Sequence, residues 1–153
     1  MSPEALRRRK RREKVSRYLN GERYFGREGS VLTAEDIFDA ADACGVSPYL
    51  FAAIVAVESA WGSSEEAKWS NNFTGIKGVY TKLRAFGSVA EGLRQGASLL
   101  KRRYWDKGLI TPEQIGPVYA PVKGATNDDL GLNSNWVRNV RAIMDSCGRA
   151  ATA

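Results

Sequence analysis

The sequence contains no histidine, and this absence removes several classes of enzyme site. A Ser-His-Asp triad, a Cys-His nucleophile pair and the usual histidine-containing catalytic zinc sites each lose a residue on which their chemistry depends. Carboxylate chemistry, which needs only Asp or Glu, is unaffected. The sequence therefore implies neither a bound metal nor any other cofactor.

Cysteine is scarce: the chain has only Cys44 and Cys147, and their separation matches no metal-binding spacing. Each lies near the end of an apolar run with helical spacing, so we predict two buried free thiols. A disulfide between them is the open alternative, although a chain kept in a reducing compartment would leave both reduced.

A long hydrophobic run is missing after the N-terminal residues, where a basic cluster, RRRKRREK, occupies positions 7–14. A secretory signal needs an apolar core after its charges, and a membrane-spanning helix needs about 20 apolar residues. We therefore expect synthesis in the cytoplasm without a signal peptide.

Positive charge is in excess in only one part of the chain, whose formal net charge is +6. Residues 1–28 hold ten basic and four acidic side chains, whereas residues 29–153 hold thirteen of each. Because Ser2-Pro3-Glu4 is a typical helix start, we predict a basic N-terminal segment, 1–28, that is helical. Its partner could be an anionic wall polymer, a membrane surface or a nucleic acid, or its charge could serve solubility alone; no obligate protein partner is evident.

The remaining residues, 29–153, suffice for one domain with an adequate core. Residues 20–32, with three glycines, indicate a linker, and residues 78–86 could form at most one short β-hairpin. Four segments combine a capping residue with apolar residues at helical spacing, namely 33–44, 48–59, 88–105 and 134–147. We predict a mainly α fold.

One stretch, residues 51–78, carries the candidate catalytic group. In the predicted helix 48–59, Glu58 lies one turn beyond Ile54 on an otherwise apolar face. Partial burial there disfavours the charged form of a carboxyl group and raises its pKa, as a proton donor near neutral pH requires. We predict that Glu58 is a catalytic acid at the end of a rigid helix; the alternative is a solvated residue at a helix end.

The residues around Glu58 resemble a known family through two blocks: Glu58-Ser59-Ala60-Trp61-Gly62 and, after a spacer, Asn71-Asn72-Phe73-Thr74-Gly75-Ile76-Lys77-Gly78. They are similar to the E-S-x-W/F-G and N-N-x-F-G-I-K-G blocks of the bacterial glucosaminidase domain, glycoside hydrolase family 73. The resemblance extends over about residues 33–147. It implies a lysozyme-like helical domain in which Glu58 is the general acid.

The second block departs from the family pattern, because Thr74 stands where an aromatic residue is usual and Phe73 precedes it. Family members also commonly carry a second acidic residue in the hairpin lobe. Here no Asp or Glu lies between Glu66 and Glu91, and Glu91 closes a capping box that begins at Ser88.

A second catalytic carboxylate is therefore not assigned, although glycoside hydrolysis usually employs two. Asp128 or Asp129 could approach from the C-terminal loop, and Glu65 or Glu66 could fold back. A third alternative is that the substrate's own acetamido group acts as the nucleophile. We favour either this alternative or a water held by a distant carboxylate.

Further site residues are predicted from the aromatic and amide side chains. Tyr119 and Ala120 are similar to a Tyr-Ala segment that lines the cleft of glucosaminidases, which implies that Tyr119 orients the acetamido group or a water; the alternative is a core tyrosine. Sugars pack on aromatic rings and bond to amides, and Trp69 lies in the same region. The predicted substrate-binding residues are Trp61, Asn71, Asn72, Phe73 and Tyr80.

The resemblance to the glucosaminidase domain implies a peptidoglycan hydrolase, first of all an endo-β-N-acetylglucosaminidase that cleaves β-1,4 bonds of the glycan strand. The absence of histidine argues against the zinc amidases and the Cys-His peptidases among wall hydrolases. The alternatives are a muramidase or lytic transglycosylase of the same superfamily, and a non-catalytic module that binds glycan or nucleic acid. Without a signal peptide, the preferred role is a phage-type lysin that reaches the wall after holin-type release or as a virion component.

Overall fold

The structure, a computed structural model, describes residues 1–75, 85–119 and 134–153. Within these ranges the chain forms helices and turns and no strand, which confirms the predicted mainly α class. The hairpin predicted at 78–86 lies mostly outside the described residues. None of the described helices is long and apolar enough to cross a membrane. The helices are α1 (Pro3–Leu19), α2 (Ala34–Cys44), α3 (Pro48–Ser59), α4 (Glu65–Ser70), α5 (Val89–Arg103), α6 (Pro112–Tyr119) and α7 (Ser134–Thr152), with a 3₁₀ turn at Trp105–Lys107.

The central helix is α3, and every residue from 50 to 56 is buried. Ser47 caps its first turn by accepting a hydrogen bond from the N–H of Leu50 (3.3 Å), and Pro48 occupies a position that needs no donor. Helices α2 and α7 both pack against it. Burial of each large apolar side chain contributes about 1.5–3 kcal/mol, so α3 is anchored firmly in the core by its packing.

The N-terminal helix α1 begins as predicted, with Ser2 as its cap and Pro3 in its first turn. It packs against α7 and buries Val15 and Leu19 completely. The following residues, 20–32, differ from the predicted linker, because they form hydrogen-bonded turns and bury Phe25 and Leu32 in the core. The N-terminal region is therefore an integral part of the folded unit.

Helix α5 begins at the predicted capping box. The N–H of Glu91 donates to Oγ of Ser88 (3.1 Å), and the Glu91 carboxylate accepts from the N–H of Gly87 (3.0 Å). Glu91 is therefore a helix cap, as predicted.

Both cysteines are free thiols. Cys147 lies fully buried on the inner stripe of α7, where desolvation raises the pKa of its thiol to about 12. Cys44, at the end of α2, is only half-buried, so the prediction of two buried thiols is correct for one of them.

Candidate active site

The turn that follows Glu58 is tightly wound. Helix α3 ends at Ser59, and the next three residues, Ala60, Trp61 and Gly62, all have left-handed backbones, with φ of 49°, 59° and 82°. The buried hydroxyl of Ser59 accepts a hydrogen bond from the N–H of Gly62 (2.9 Å), which closes the turn. The chain therefore reverses sharply at the end of α3 and leaves Glu58 in the last helical turn.

Trp61 and Gly62 of this turn pack against the N-terminal region. The Trp61 ring lies 4.9 Å from the rings of both Tyr24 and Phe25, measured between centroids. A side chain at Gly62 would come within 2.7 Å of the Ser30 hydroxyl. The structure thus gives Trp61, which was predicted to bind substrate, a packing role between two parts of the chain.

The two predicted substrate amides, Asn71 and Asn72, hold the backbone of their own block. Asn71 has a left-handed backbone (φ 50°), and its amide donates to the carbonyl of Phe86 (3.0 Å). The buried side chain of Asn72 accepts from the N–H of Gly75 (2.9 Å). These bonds fix the path of residues 71–75 beside the end of α3.

The aromatic residues that the sequence placed near the site lie in different environments. Phe73 is fully buried, with its ring against Gly92, where the missing side chain leaves room for it; it is a core residue and not an exposed sugar platform. Tyr80 lies outside the described residues. Trp69 is 80% exposed on α4, and its indole N–H donates to Glu65 (2.9 Å).

The short helix α4 was not predicted, because its six residues are too few to show a periodic pattern.

Glu58 is half-buried, and both of its carboxylate oxygens have defined neighbours. Its Oε1 accepts a hydrogen bond of 2.8 Å from the indole N–H of Trp136, a residue that is 5% exposed. Its Oε2 lies 3.4 Å from the point where a Cβ on Gly75 would stand. Gly75 has a φ of 72°, so glycine provides both the backbone conformation and the space that bring the second block to the carboxyl group.

Tyr119 lies at the end of α6 and is part of the same cluster. Its hydroxyl donates to the carbonyl oxygen of Thr74 (2.5 Å), and its ring stacks on Trp136 with centroids 4.9 Å apart. Burial, followed by the negative charge of Glu58 and the nearby Tyr104, raises the pKa of Tyr119 well above its usual value. The hydroxyl therefore remains protonated at neutral pH.

The site thus joins α3, the 71–75 block, α6 and α7 through one chain of contacts. Trp136 lies in the predicted helical segment 134–147 but was not among the predicted site residues, so its contact with Glu58 was missed. A signal was available, because a buried indole N–H usually finds an acceptor. The sequence offered many acceptors, however, and did not indicate which one lies opposite.

The candidates for a second carboxylate are only partly described. Asp128 and Asp129 lie outside the described residues. Glu65 and Glu66 are exposed in the first turn of α4, where a carboxylate favours the helix N-terminus, and Glu65 also accepts the bond from Trp69. The described geometry thus gives both of these residues a role on their own helix.

A half-buried carboxyl group that is held in place at the end of the central helix can donate a proton to a bound substrate. The sequence profile of the glucosaminidase family, described as mannosyl-glycoprotein endo-beta-N-acetylglucosaminidase, matches residues 34–148. The chain therefore belongs to the glucosaminidase family, which confirms the resemblance and makes the protein a peptidoglycan-degrading glycosidase in general terms. A comparison with curated proteins found no match.

Proposed function

We propose that the protein is an endo-β-N-acetylglucosaminidase that cleaves the β-1,4 bond after N-acetylglucosamine in peptidoglycan, with Glu58 as the general acid. The observation that carries this proposal is the 2.8 Å hydrogen bond from Trp136 to the half-buried Glu58 carboxyl group. A general acid must be held in one orientation so that its proton meets the leaving oxygen. Glu58 transfers its proton to the glycosidic oxygen as the bond from that oxygen to the anomeric carbon breaks.

The nucleophile that we propose is the substrate's own acetamido group. This proposal is supported by the absence of any Asp or Glu between Glu66 and Glu91, where the family commonly carries its second acid. The acetamido oxygen attacks the anomeric carbon while Glu58 protonates the departing sugar. A water molecule then attacks the anomeric carbon and gives a proton to the Glu58 carboxylate, which reopens the ring to the acetamido group and restores the acid. Tyr119 accepts a hydrogen bond from the acetamido N–H, because its own proton is donated to Thr74.

The acid role is tested with purified peptidoglycan and two matched variants. Glu58→Gln keeps the shape of the side chain but carries no acidic proton, so we expect wall clearing to slow by about 10²–10⁴-fold. Glu66→Gln makes the same change at an exposed position and should clear walls at the wild-type rate. Equal clearing by wild type and Glu58→Gln would refute the catalytic role.

The bond and the nucleophile are tested on the products. A new reducing end of N-acetylglucosamine is expected, whereas reducing N-acetylmuramic acid would indicate a muramidase and an anhydro end a transglycosylase. Substrate-assisted attack also predicts retained anomeric configuration and no cleavage of glycan in which that N-acetyl group has been removed. Turnover of the de-N-acetylated glycan would contradict the proposed nucleophile and leave the acid role intact.

In the cell, the role that we propose is that of a phage-type lysin, with the bacterial wall as its site of action and glycan strands as its partner. Support comes from the family's action on peptidoglycan. The test is expression in a bacterial cytoplasm with and without a co-expressed membrane-pore protein. Lysis is expected only when both are present; lysis without the pore, or intact cells with it, would contradict this role.

A further inference from the structure

The outward side of α1 carries five basic side chains on one face. With 100° of rotation per residue, they fall within an arc of about 120° whose centre lies about 120° around the helix from that of the buried Val15 and Leu19. All five are exposed. We call this set the basic face, and its members are Arg7, Lys10, Arg11, Lys14 and Arg17.

The acidic residues of α1 do not neutralise this face. Glu4 pairs with Arg8 at 3.4 Å, and Glu13 pairs with Arg9 at 3.1 Å, so both acids are engaged by arginines outside the basic face. Four members of the face, Arg7, Lys10, Arg11 and Arg17, make no ion pair with any residue in 1–75, 85–119 or 134–153. The fifth, Lys14, donates a hydrogen bond to the main-chain oxygen of Ala153 (2.7 Å). Helix α1 holds eight basic and two acidic residues, so it contains the whole net positive charge of the chain.

The charges are arranged in a row and not as a compact pocket. At about 1.5 Å of rise per residue, the basic face extends for roughly 15 Å along α1. A row of cations with no enclosing walls suits a linear polyanion, whose repeated charges exchange their counterions for the protein's side chains. It does not suit a single small anion, which needs convergent donors.

The neighbouring side chains discriminate between kinds of polyanion. Recognition of single-stranded nucleic acid uses exposed aromatic rings for stacking on bases, but the rings of Tyr18 and Tyr24 lie 4.9 Å apart and Tyr24 packs on Trp61. Insertion into a membrane surface needs an apolar helix face, whereas the basic face is flanked by a single exposed large apolar residue of α1, Leu6. A polyanion without bases and outside a bilayer fits better than either.

We propose that the basic face binds a phosphodiester polymer of the cell wall, of the poly(glycerol phosphate) type, and so retains the enzyme on its substrate between cleavage events. This inference rests on the proposed wall-degrading function. The turn after α1 places Tyr24 and Phe25 on Trp61, three residues beyond Glu58, so the helix and the end of α3 are joined by direct packing. A polymer held on α1 therefore restrains the catalytic unit at the wall.

The test measures binding separately from catalysis, in the Glu58→Gln background, where the wall is not digested. One variant changes Arg7, Lys10, Arg11 and Arg17 to Gln, which retains good helix formers at exposed positions. The matched control removes the same charge elsewhere. It changes Arg102, Arg103, Lys107 and Arg138 to Gln, all of them exposed and without an ion pair to the described residues. The probes are soluble poly(glycerol phosphate) and walls before and after chemical removal of phosphodiester polymers, with circular dichroism verifying the fold.

We expect the α1 variant to bind poly(glycerol phosphate) and untreated walls about tenfold or more weakly, while the control set changes binding less than about twofold. The slope of log K against log salt should fall by about 3 in the α1 variant, at about 0.7 per lost contact. Stripped walls should bind the parent and the α1 variant equally.

Three results would overturn the inference: equal weakening by the two sets, undiminished binding of the parent to stripped walls, or tighter binding to DNA or anionic vesicles than to poly(glycerol phosphate). Failure of the proposed function would appear differently, as an absence of clearing by the chain with Glu58 intact. When the four α1 substitutions are made in the chain with Glu58 intact, intact walls should be digested more slowly, whereas short soluble glycans should be cleaved at the wild-type rate.

Discussion

The indole N–H of Trp136 donates a 2.8 Å hydrogen bond to Oε1 of Glu58, a residue 78 positions earlier in the chain. This bond joins the last turn of α3 to the first turn of α7. Because both side chains are at least half-buried, the bond is shielded from water and holds the carboxyl group in one orientation. The stacked ring of Tyr119 keeps the indole in place from its other side.

The first prediction concerns Trp136→Phe, which keeps an aromatic ring but removes the donor. Without the indole N–H, the ionised carboxylate loses a stabilising hydrogen bond, so the protonated form of Glu58 is favoured. We expect kcat to fall about tenfold or more, and the alkaline limb of the kcat/KM profile to move to higher pH. Trp105→Phe, the same change at a partly buried tryptophan away from Glu58, is the control. A reduced rate with an unmoved pH profile would contradict a direct action of Trp136 on Glu58.

The second prediction concerns Tyr119→Phe. The buried Thr74 loses the donor to its carbonyl, which should lower the free energy of unfolding by about 1–3 kcal/mol. Because the pKa of Tyr119 is raised well above its usual value, its ionisation does not produce the alkaline limb of activity. Urea denaturation and pH–rate profiles are measured for Tyr119→Phe and for the control Tyr104→Phe. Stability and rate should fall in Tyr119→Phe and not in Tyr104→Phe. A shift of the alkaline limb in Tyr119→Phe would show that this hydroxyl titrates.

The third prediction concerns Ala60, an exposed non-glycine residue with a left-handed backbone directly after α3. The side chain costs about 1–2 kcal/mol in this conformation, and glycine avoids that cost at some loss of chain entropy. Ala60→Gly should therefore raise the free energy of unfolding by about 0.5–1 kcal/mol. Ala142→Gly, at an exposed position within α7, should lower it by about 1 kcal/mol. Destabilisation by both changes in urea would disprove the left-handed backbone at residue 60.

The fourth prediction concerns stability at alkaline pH. The Cys147 thiol has a pKa of about 12 in the folded protein and an ordinary value of 9.0. Above pH 9 the unfolded chain loses this proton while the folded chain keeps it, so rising pH favours unfolding. The free energy of unfolding should therefore fall by about 1.4 kcal/mol per pH unit between about pH 9 and about pH 12. Below pH 9 the thiol is protonated in both states and has no such effect.

Comparison with Cys147→Ala isolates the effect of thiol ionisation on stability, because the alkaline ionisation of the tyrosines is common to both proteins. The stability difference between wild type and Cys147→Ala, measured in urea at pH 7 and pH 10, should shift by about 1.4 kcal/mol against the wild type at the higher pH. Cys44→Ala serves as the control for removal of a less buried thiol. A pH-independent difference for Cys147→Ala would mean that the thiol titrates normally in the fold.

Local sequence signals predicted much of the fold. The predicted helical segment 48–59 is α3, which begins with Ser47 as its cap and Pro48 in its first turn. The capping box at Ser88 likewise marked the start of α5. These predictions succeeded because caps and periodicity depend on residues within one or two helical turns.

The residues around the carboxyl group were less predictable. The aromatic character of Phe73 suits a sugar platform and a core equally, and in the structure its ring is fully buried beside Gly92. The amides of Asn71 and Asn72 suit a glycan and a backbone turn equally, and the turn engages both of them. In each case the side chain's chemistry allowed two environments, and only its neighbours in space selected one.

The sequence by itself determined that a single acidic residue ends an apolar helix, that no histidine is available for the chemistry, and that the net positive charge is confined to the first 28 residues. Only the tertiary structure decided that Trp136 and Gly75 meet that acid, that Tyr119 stacks on Trp136, and that five basic side chains of α1 share one exposed face. The physical reason is that helix formation depends on near neighbours in the chain. Which side chains face one another depends on how the helices pack, and that is set by the whole core together.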